Sequence, residues 1–355
     1  MYHVIKGTFH FRSAQHPWGK AARAALSMGA CVLIGVVLGH VAWGLMATVG
    51  GFASLYVNSE SYEQRAVKLV LVSLGLAASM ALGTWFAGNI WTLAFALSFV
   101  SMSATWVAGA FSLPPPGGYF FILVCALGTG LPLDPSQAPM RFGLALLGGG
   151  VAWVISMSGW LFRRKAEKVA AKNWWHDSLR MAIARTRDRT TGVIPAIIRI
   201  GIAVLAATFI AFLLGNPRPY WVPLTCASVL QGATVTATIQ RTLQRAAGTA
   251  LGVLVGGAVL WIQPSIVWVI LSLMAFQWVT EILIVRNYGL AVIFITPMPL
   301  LLAETGFPGL HPTFLVQARL VDTLLGCAIG VTAALAFQGR GVAAQMFRFR
   351  RWTDS

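Results

Sequence analysis

Apolar residues in this chain come in long blocks separated by short polar breaks. Runs fall at roughly 22–40, 42–57, 66–88, 90–111, 118–133 and 141–162; a polar, basic stretch follows at about 163–194. A second set lies near 195–215, 219–237, 245–262, 265–285, 288–303 and 314–338. A run of about 20 apolar residues is long enough to cross a bilayer as a helix, which satisfies its own backbone hydrogen bonds where water cannot. The pattern predicts an all-α integral membrane protein with about 12 transmembrane helices. Segments 42–57 and 118–133 are short for a full span. Each is therefore tilted, buried in the bundle or re-entrant, and ten spans stay open as the count.

The two sets resemble each other. RAALSMGACVLIGVVLG from Arg23 matches RIGIAVLAATFIAFLLG from Arg199, and Trp43 then matches Trp221. Lys68 with Gly75 matches Arg245 with Gly252, and RFGLALLGGG at Arg141 matches RLVDTLLGCA at Arg319. Four anchors in one order indicate an internal duplication. Six helices per set is an even number, so both sets take the same orientation, as two parallel six-helix repeats. The expected organisation is an N-terminal segment 1–21, a first repeat 22–162, a basic linker 163–194, a second repeat 195–338 and a basic tail 339–355.

Composition agrees with the bilayer reading. The 355 residues are 57% hydrophobic and 10% charged, against roughly 25% charged in soluble domains. The formal net charge of +16 would suggest nucleic acid in a soluble protein, but the cations stand at helix ends and in the linker, so no nucleic-acid partner is expected. With the N-terminus in the cytoplasm, only Arg141, Arg218 and Arg319 of the 26 Lys and Arg fall outside. That bias predicts cytoplasmic N- and C-termini. The linker, with Trp174 and Trp175 among its cations, reads as a helix lying along the membrane face, and the FRFRRW tail as a similar anchor. The first 20 residues do not read as a cleavable signal peptide. The four cysteines lie in apolar runs without metal-ligand spacing and read as small buried residues.

The stretch with the most chemistry is 219–256, an apolar helix, a polar turn and a second helix opening with Arg241 and Arg245. Tyr220, Trp221, Thr225, Ser228 and Gln231 put rings, hydroxyls and an amide on one side of the first helix. In hydrocarbon such groups need protein or a wet cavity. They read either as a substrate lining or as an interfacial belt with interhelical hydrogen bonds. Arg241 and Arg245, four apart, share a helical face; they read either as a carboxylate lure or as positive-inside anchors. Acidic residues are scarce, so Glu281 and Asp322 are candidates for proton coupling, or else form local pairs with Arg286 and Arg319. The four-residue glycine spacings of GTALGVLVGG read as close helix packing, and SLPPPGG and ITPMP as helix breaks. No nucleotide-binding loop, zinc spacing or nucleophile with its base appears, so neither an enzyme nor a cofactor is expected.

The pattern YWVPLTCASVLQG followed by RTLQRAAGTALG resembles the fusaric-acid-resistance (FUSC-like) family of inner-membrane proteins, which includes bacterial aromatic carboxylic acid exporters. The resemblance implies a secondary transporter in the bacterial inner membrane that exports small organic acids, aromatic carboxylic acids in particular. It also implies a periplasmic adaptor protein as a partner in some members; the lipid bilayer and a homo-oligomer complete the expected partners. Larger members carry an extended soluble region between the halves, where this chain has about 30 residues. A passive organic-anion channel and a non-transporting scaffold or partner subunit are the alternatives.

Overall fold

The computed structural model describes residues 8, 11, 17–58, 60–113, 115–130, 134–162, 174–188, 193–216, 218–232, 234–306 and 312–353. Every regular element among them is helical. In chain order these are α1 (Trp18–Val37), α2 (Val41–Gly51, continued by a 3-10 turn Phe52–Tyr56), α3 (Tyr62–Trp85), α4 (Ile90–Ala110), α5 (Tyr119–Gly130) and α6 (Ala138–Met157). Then come α7 (Trp174–Arg187), α8 (Val193–Leu213), α9 (Trp221–Val229), α10 (Val235–Trp261), α11 (Ile266–Ile284), α12 (Tyr288–Ile295), α13 (Pro297–Gly306) and α14 (Pro312–Thr353). Helix α7 lies within the linker; residues 163–173 and 189–192 and the side chains of Trp174 and Trp175 lie outside the described set, as do the tail's side chains.

Eight helices among the described residues are long and apolar enough to cross a membrane: α1, α3, α4, α6, α8, α10, α11 and the 316–337 part of α14. The other apolar segments form shorter helices. The clearest departure from expectation is 219–237, which reads in sequence as one span. Helix α9 has only 9 residues, about 13 Å of rise. The apolar run ends in a turn at Leu230–Gly232, and Thr234 then caps α10 by accepting a hydrogen bond from the Ala237 N–H at 3.1 Å. Helix α10 therefore starts at Val235 rather than near 245. Ser61 caps α3 in the same way, from the Gln64 N–H. Removing such a cap typically costs about 1 kcal/mol. Thr234→Ala should lower the melting temperature in detergent, with Ser61→Ala additive to it because the sites are independent.

Packing follows the same scheme on either side of α7. Helix α1 packs on α2 as α8 packs on α9, and α2 meets α6 as α9 meets α14. Helix α3 lies against α5 and α6 as α10 lies against α12 and α14. Across the middle, α4 packs on α8 and α11 packs on α1. Two arginines fix the short second helices: Arg23 donates to the Val57 carbonyl (3.2 Å) and Arg199 to the Leu230 carbonyl (2.9 Å). Each bond brings the end of the second helix back to the level where the first helix began.

The caps also set the register between the two sides. Counted from Ser61 and Thr234, Lys68 stands where Arg241 does and Val72 where Arg245 does. The sequence match of Lys68 to Arg245 is thus one helical turn out. Glycines of α10 recur every four residues, so Gly75 finds a partner in either register.

Candidate functional site

Helix α5 begins deep in the bundle. A Cβ on Gly118 would press on the Ala104 carbonyl, and one on Gly75 would meet the Phe121 ring. Its first residue, Tyr119, is therefore set beside the middles of α3 and α4, on the first side of the chain. From the second side come Trp221 at the start of α9, Arg245 in α10, Tyr288 at the start of α12 and Arg319 in α14.

These five side chains meet. Arg245 Nη1 donates to the Tyr288 hydroxyl (3.3 Å), and the Tyr119 hydroxyl lies against the same guanidinium. Arg319 stacks over the Trp221 ring at 4.5 Å and shares the electrostatic surroundings of Arg245 and Tyr119. Arg245 is 1% exposed and Arg319 2%. Tyr119 and Tyr288 are enclosed by protein yet keep accessible surface, so space adjoins them. The series continues toward both ends. Arg241 stacks over the Tyr288 ring (4.3 Å), and Arg218 lies 5.7 Å from the Trp221 ring and donates to the Tyr220 hydroxyl (2.9 Å). Cations and rings alternate from the start of α10 to the start of α9.

The donors of the two central arginines are not used up. Nε and Nη2 of Arg245 and Nε and Nη1 of Arg319 are buried with no hydrogen-bond partner among the described residues. The only ion pairs among those residues are Lys20–Glu281 and Lys68–Glu60. A buried donor without a partner costs about 1–3 kcal/mol, more when charged, and an uncompensated buried charge about 3–5 kcal/mol. Two such cations side by side make a site whose chemistry calls for an anion. Guanidinium forks suit a carboxylate because each can bond two oxygens.

The first side of the chain gives the contrast. Arg141, the counterpart of Arg319, donates to Thr84 Oγ1 (3.3 Å) and to Gln137 Oε1 (3.1 Å). Counted from the caps, Gly257 stands where Thr84 does, so Arg319 lacks that acceptor. Arg65 is likewise spent on the Ser156 and Asn58 carbonyls (3.3 and 2.9 Å). Arg65 and Arg141 leave only Nε without a partner among the described residues, whereas Arg245 and Arg319 each leave two donors.

Among the residues singled out in sequence, Trp221 and Arg245 enter the cluster, and Tyr220 and Arg241 flank it. The polar stripe of α9 does not form one lining. Thr225 Oγ1 is buried without a partner, Ser228 bonds back to the Thr225 carbonyl (2.8 Å), and Gln231 is exposed beyond the helix, accepting from Arg241 at 3.4 Å. Glu281 is buried and pairs with Lys20 (3.3 Å) and Gln277, not with Arg286, because α11 packs on α1. Asp322 accepts from the Asn216 amide (2.7 Å) instead of pairing with Arg319, and its Oδ2 is buried without a partner.

Sequence reasoning missed Arg319, Tyr119 and Tyr288. Arg319 was visible as one half of a repeat match, but its place near a helix end put it at the opposite membrane face from Arg245. Among the described residues no cluster of His, Cys, Asp and Glu could hold a metal ion.

No solved structure matches this chain. It is 28% identical over 469 aligned positions to the uncharacterized membrane protein YvaC of Bacillus subtilis (strain 168), covering 94% of this chain and 74% of that one. The alignment is longer than the chain, so the relative carries residues that are missing here. Residues 205–333 match the family described as fusaric acid resistance protein-like. That part of the chain, which contributes Trp221, Arg245, Tyr288 and Arg319 to the cluster, is thus similar to the fusaric acid resistance protein-like family.

Proposed function

We propose that this multi-pass membrane protein is a secondary transporter that exports small organic acids, aromatic carboxylic acids in particular, from the cytoplasm. The observation that carries the reading is the pair of buried guanidiniums, Arg245 and Arg319, with unused donors beside Tyr119, Tyr288 and Trp221. The forks bond the carboxylate and the rings stack the aromatic body. Arg241 at one end and Arg218 at the other extend the path with further cations over rings. Thr225, with its unused hydroxyl, faces the same α9–α14 contact, whereas Ser228 and Gln231 act through Arg241.

Two like-oriented lobes, 22–162 and 195–338, rock about this site to expose it alternately to either side. The matched pairing of helices on the two sides of α7 supports that arrangement. The excess of cations on one face supports cytoplasmic termini in the inner membrane. Asp322, one turn from Arg319 with a free carboxylate oxygen, is the group we assign to proton coupling; Glu281, held by Lys20, serves as a fixed pair.

Efflux from proteoliposomes loaded with benzoate, with its ring-hydroxylated derivatives or with acetate tests this directly. The expected result is saturable flux for the aromatic acids, faster than for acetate, and sensitive to a proton gradient. Asp322→Asn should abolish that sensitivity. Absence of flux for every carboxylate would overturn the reading, and flux that follows voltage but ignores the proton gradient would replace the exporter with a channel.

A further inference from the structure

A cavity of about 870 Å³ lies on the first side of the chain, between α3 and α4. These two helices pack on α5 but scarcely on each other, which leaves a crevice along them. The crevice reaches Phe121, two residues from Tyr119, but none of the five residues of the arginine cluster lines it. Its size is within the range of small-molecule sites, about 300–1,000 Å³.

The crevice has two chemically different parts. Its length runs along Val72, Gly75 and Leu82 of α3 and Val100 and Val107 of α4, with Phe121 of α5 at the back. From Lys68 to Leu82 the wall is about 20 Å long at 1.5 Å per residue, comparable to one leaflet of a hydrocarbon core about 30 Å thick. It opens sideways. Leu71 and Phe99 line it and are 45% and 63% exposed on the outer face of spanning helices, where the bilayer lies.

The polar part is at the end where α3 begins. Lys68 and Glu60 form an ion pair (3.0 Å), with Asn58, Gln64 and Ser178 of α7 around it. Lys68 carries three N–H donors, of which Glu60 takes one. Burial works against the Glu60 carboxylate, yet hydrogen bonds from its own and the Asn58 backbone N–H and from Lys68 hold its pKa below the usual carboxylate range. The rim therefore offers one fixed charge of each sign, side by side, above an apolar slot that faces lipid.

We propose that this crevice binds one zwitterionic, amine-bearing phospholipid from the bilayer. One acyl chain fills the slot between α3 and α4. The phosphate takes the spare donors of Lys68 and the ammonium sits on Glu60. A free organic acid has no ammonium to place beside Glu60, and an anionic lipid would bring a second negative charge to it.

The test uses the full chain in nanodiscs of phosphatidylethanolamine and phosphatidylglycerol in equal parts, followed by native mass spectrometry after detergent transfer. The expected result is one retained phosphatidylethanolamine per chain, at least 10-fold over phosphatidylglycerol. Glu60→Gln should reduce that preference about 10-fold. Ala78→Trp places a ring in the slot from an exposed position and should remove the retained lipid while the melting temperature stays unchanged. Equal retention of both lipids, or retention unaffected by Ala78→Trp, would overturn the proposal. So would displacement of the lipid by benzoate, which would assign the crevice to the transported acid. None of these readouts depends on transport activity, so failure here and failure of the exporter reading are separable.

Discussion

Arg245→Met should abolish carboxylate flux and raise the melting temperature of the protein. The two effects have one cause. Arg245 is fully enclosed, meets the Tyr288 and Tyr119 hydroxyls, and leaves Nε and Nη2 without partners next to a second buried cation, Arg319. Methionine fills a similar volume without a charge. The variant loses its contacts to the two tyrosine hydroxyls, about 1 kcal/mol net for each. It also loses an uncompensated buried charge whose removal is worth about 3–5 kcal/mol. The second effect wins, so the fold gains stability. A bound carboxylate, by contrast, loses half of its cationic clamp. A charge-assisted hydrogen bond contributes about 1.5–3 kcal/mol, so a two-bond fork corresponds to at least a 100-fold loss of flux at 1.36 kcal/mol per tenfold. Arg141→Met is the control. Its guanidinium is bonded to Thr84 and Gln137, so its loss should destabilise. Thermal unfolding in detergent and benzoate efflux, both on protein reconstituted at equal amounts, read the two axes. Unchanged flux in Arg245→Met would remove the site. A lowered melting temperature would show that Arg245 is a structural group like Arg141.

The membrane nature of the chain and its helical class were legible because each rests on local pattern, the apolar runs, and Trp221 and Arg245 stood out as an aromatic at a helix start and a charge inside an apolar run. What was not legible depended on chain ends and depth. The run 219–237 carries no proline or charge after Pro223, and its one break, Gln231-Gly232, lies inside an otherwise apolar stretch of spanning length, so the stop at Val229 was read through. The stop comes from the Thr234 cap, which commits the next residues to α10. The repeat register slipped by a turn because Gly248, Gly252 and Gly256 offer equal matches to Gly75 and Gly83. Arg319 and Arg245 were set on opposite faces because distance from a helix end was read as depth. Their long side chains and the half-depth start of α5 bring both to Tyr119. Tyr119 itself follows a proline-glycine break, and only the fold shows that this break dips into the bundle.

Gly148→Leu should eliminate the folded protein, whereas Gly326→Ala should fold and transport poorly. Both glycines stand at the crossing of a short second helix with the last helix of its side. At α2 and α6 the contact is reciprocal: a Cβ on Gly148 would overlap the Ala47 carbonyl oxygen, and one on Gly50 would overlap that of Ala145. The obstacles are backbone atoms, which cannot rotate away, and hydrocarbon gives two separated helices no other force to hold them. Overpacking ordinarily costs about 1–3 kcal/mol. A leucine between two backbones exceeds that, and monodisperse protein should be absent from size-exclusion profiles. At α9 and α14 the corresponding Gly326 faces the Val222 carbonyl and the Thr225 Cβ, at 2.5 and 2.7 Å from where a Cβ would stand. A single methyl there moves α14 outward by a fraction of an ångström, and with it Arg319, which lies 4.5 Å over Trp221 on the same two helices. Misplacement of a binding group by about 1 Å can lower a rate about 100-fold, so a tenfold loss of flux with a small drop in melting temperature is the expected outcome. Full flux from Gly326→Ala would mean that the spacing of α9 and α14 does not set the anion site, and Arg319 would then have to act from somewhere other than its seat on Trp221.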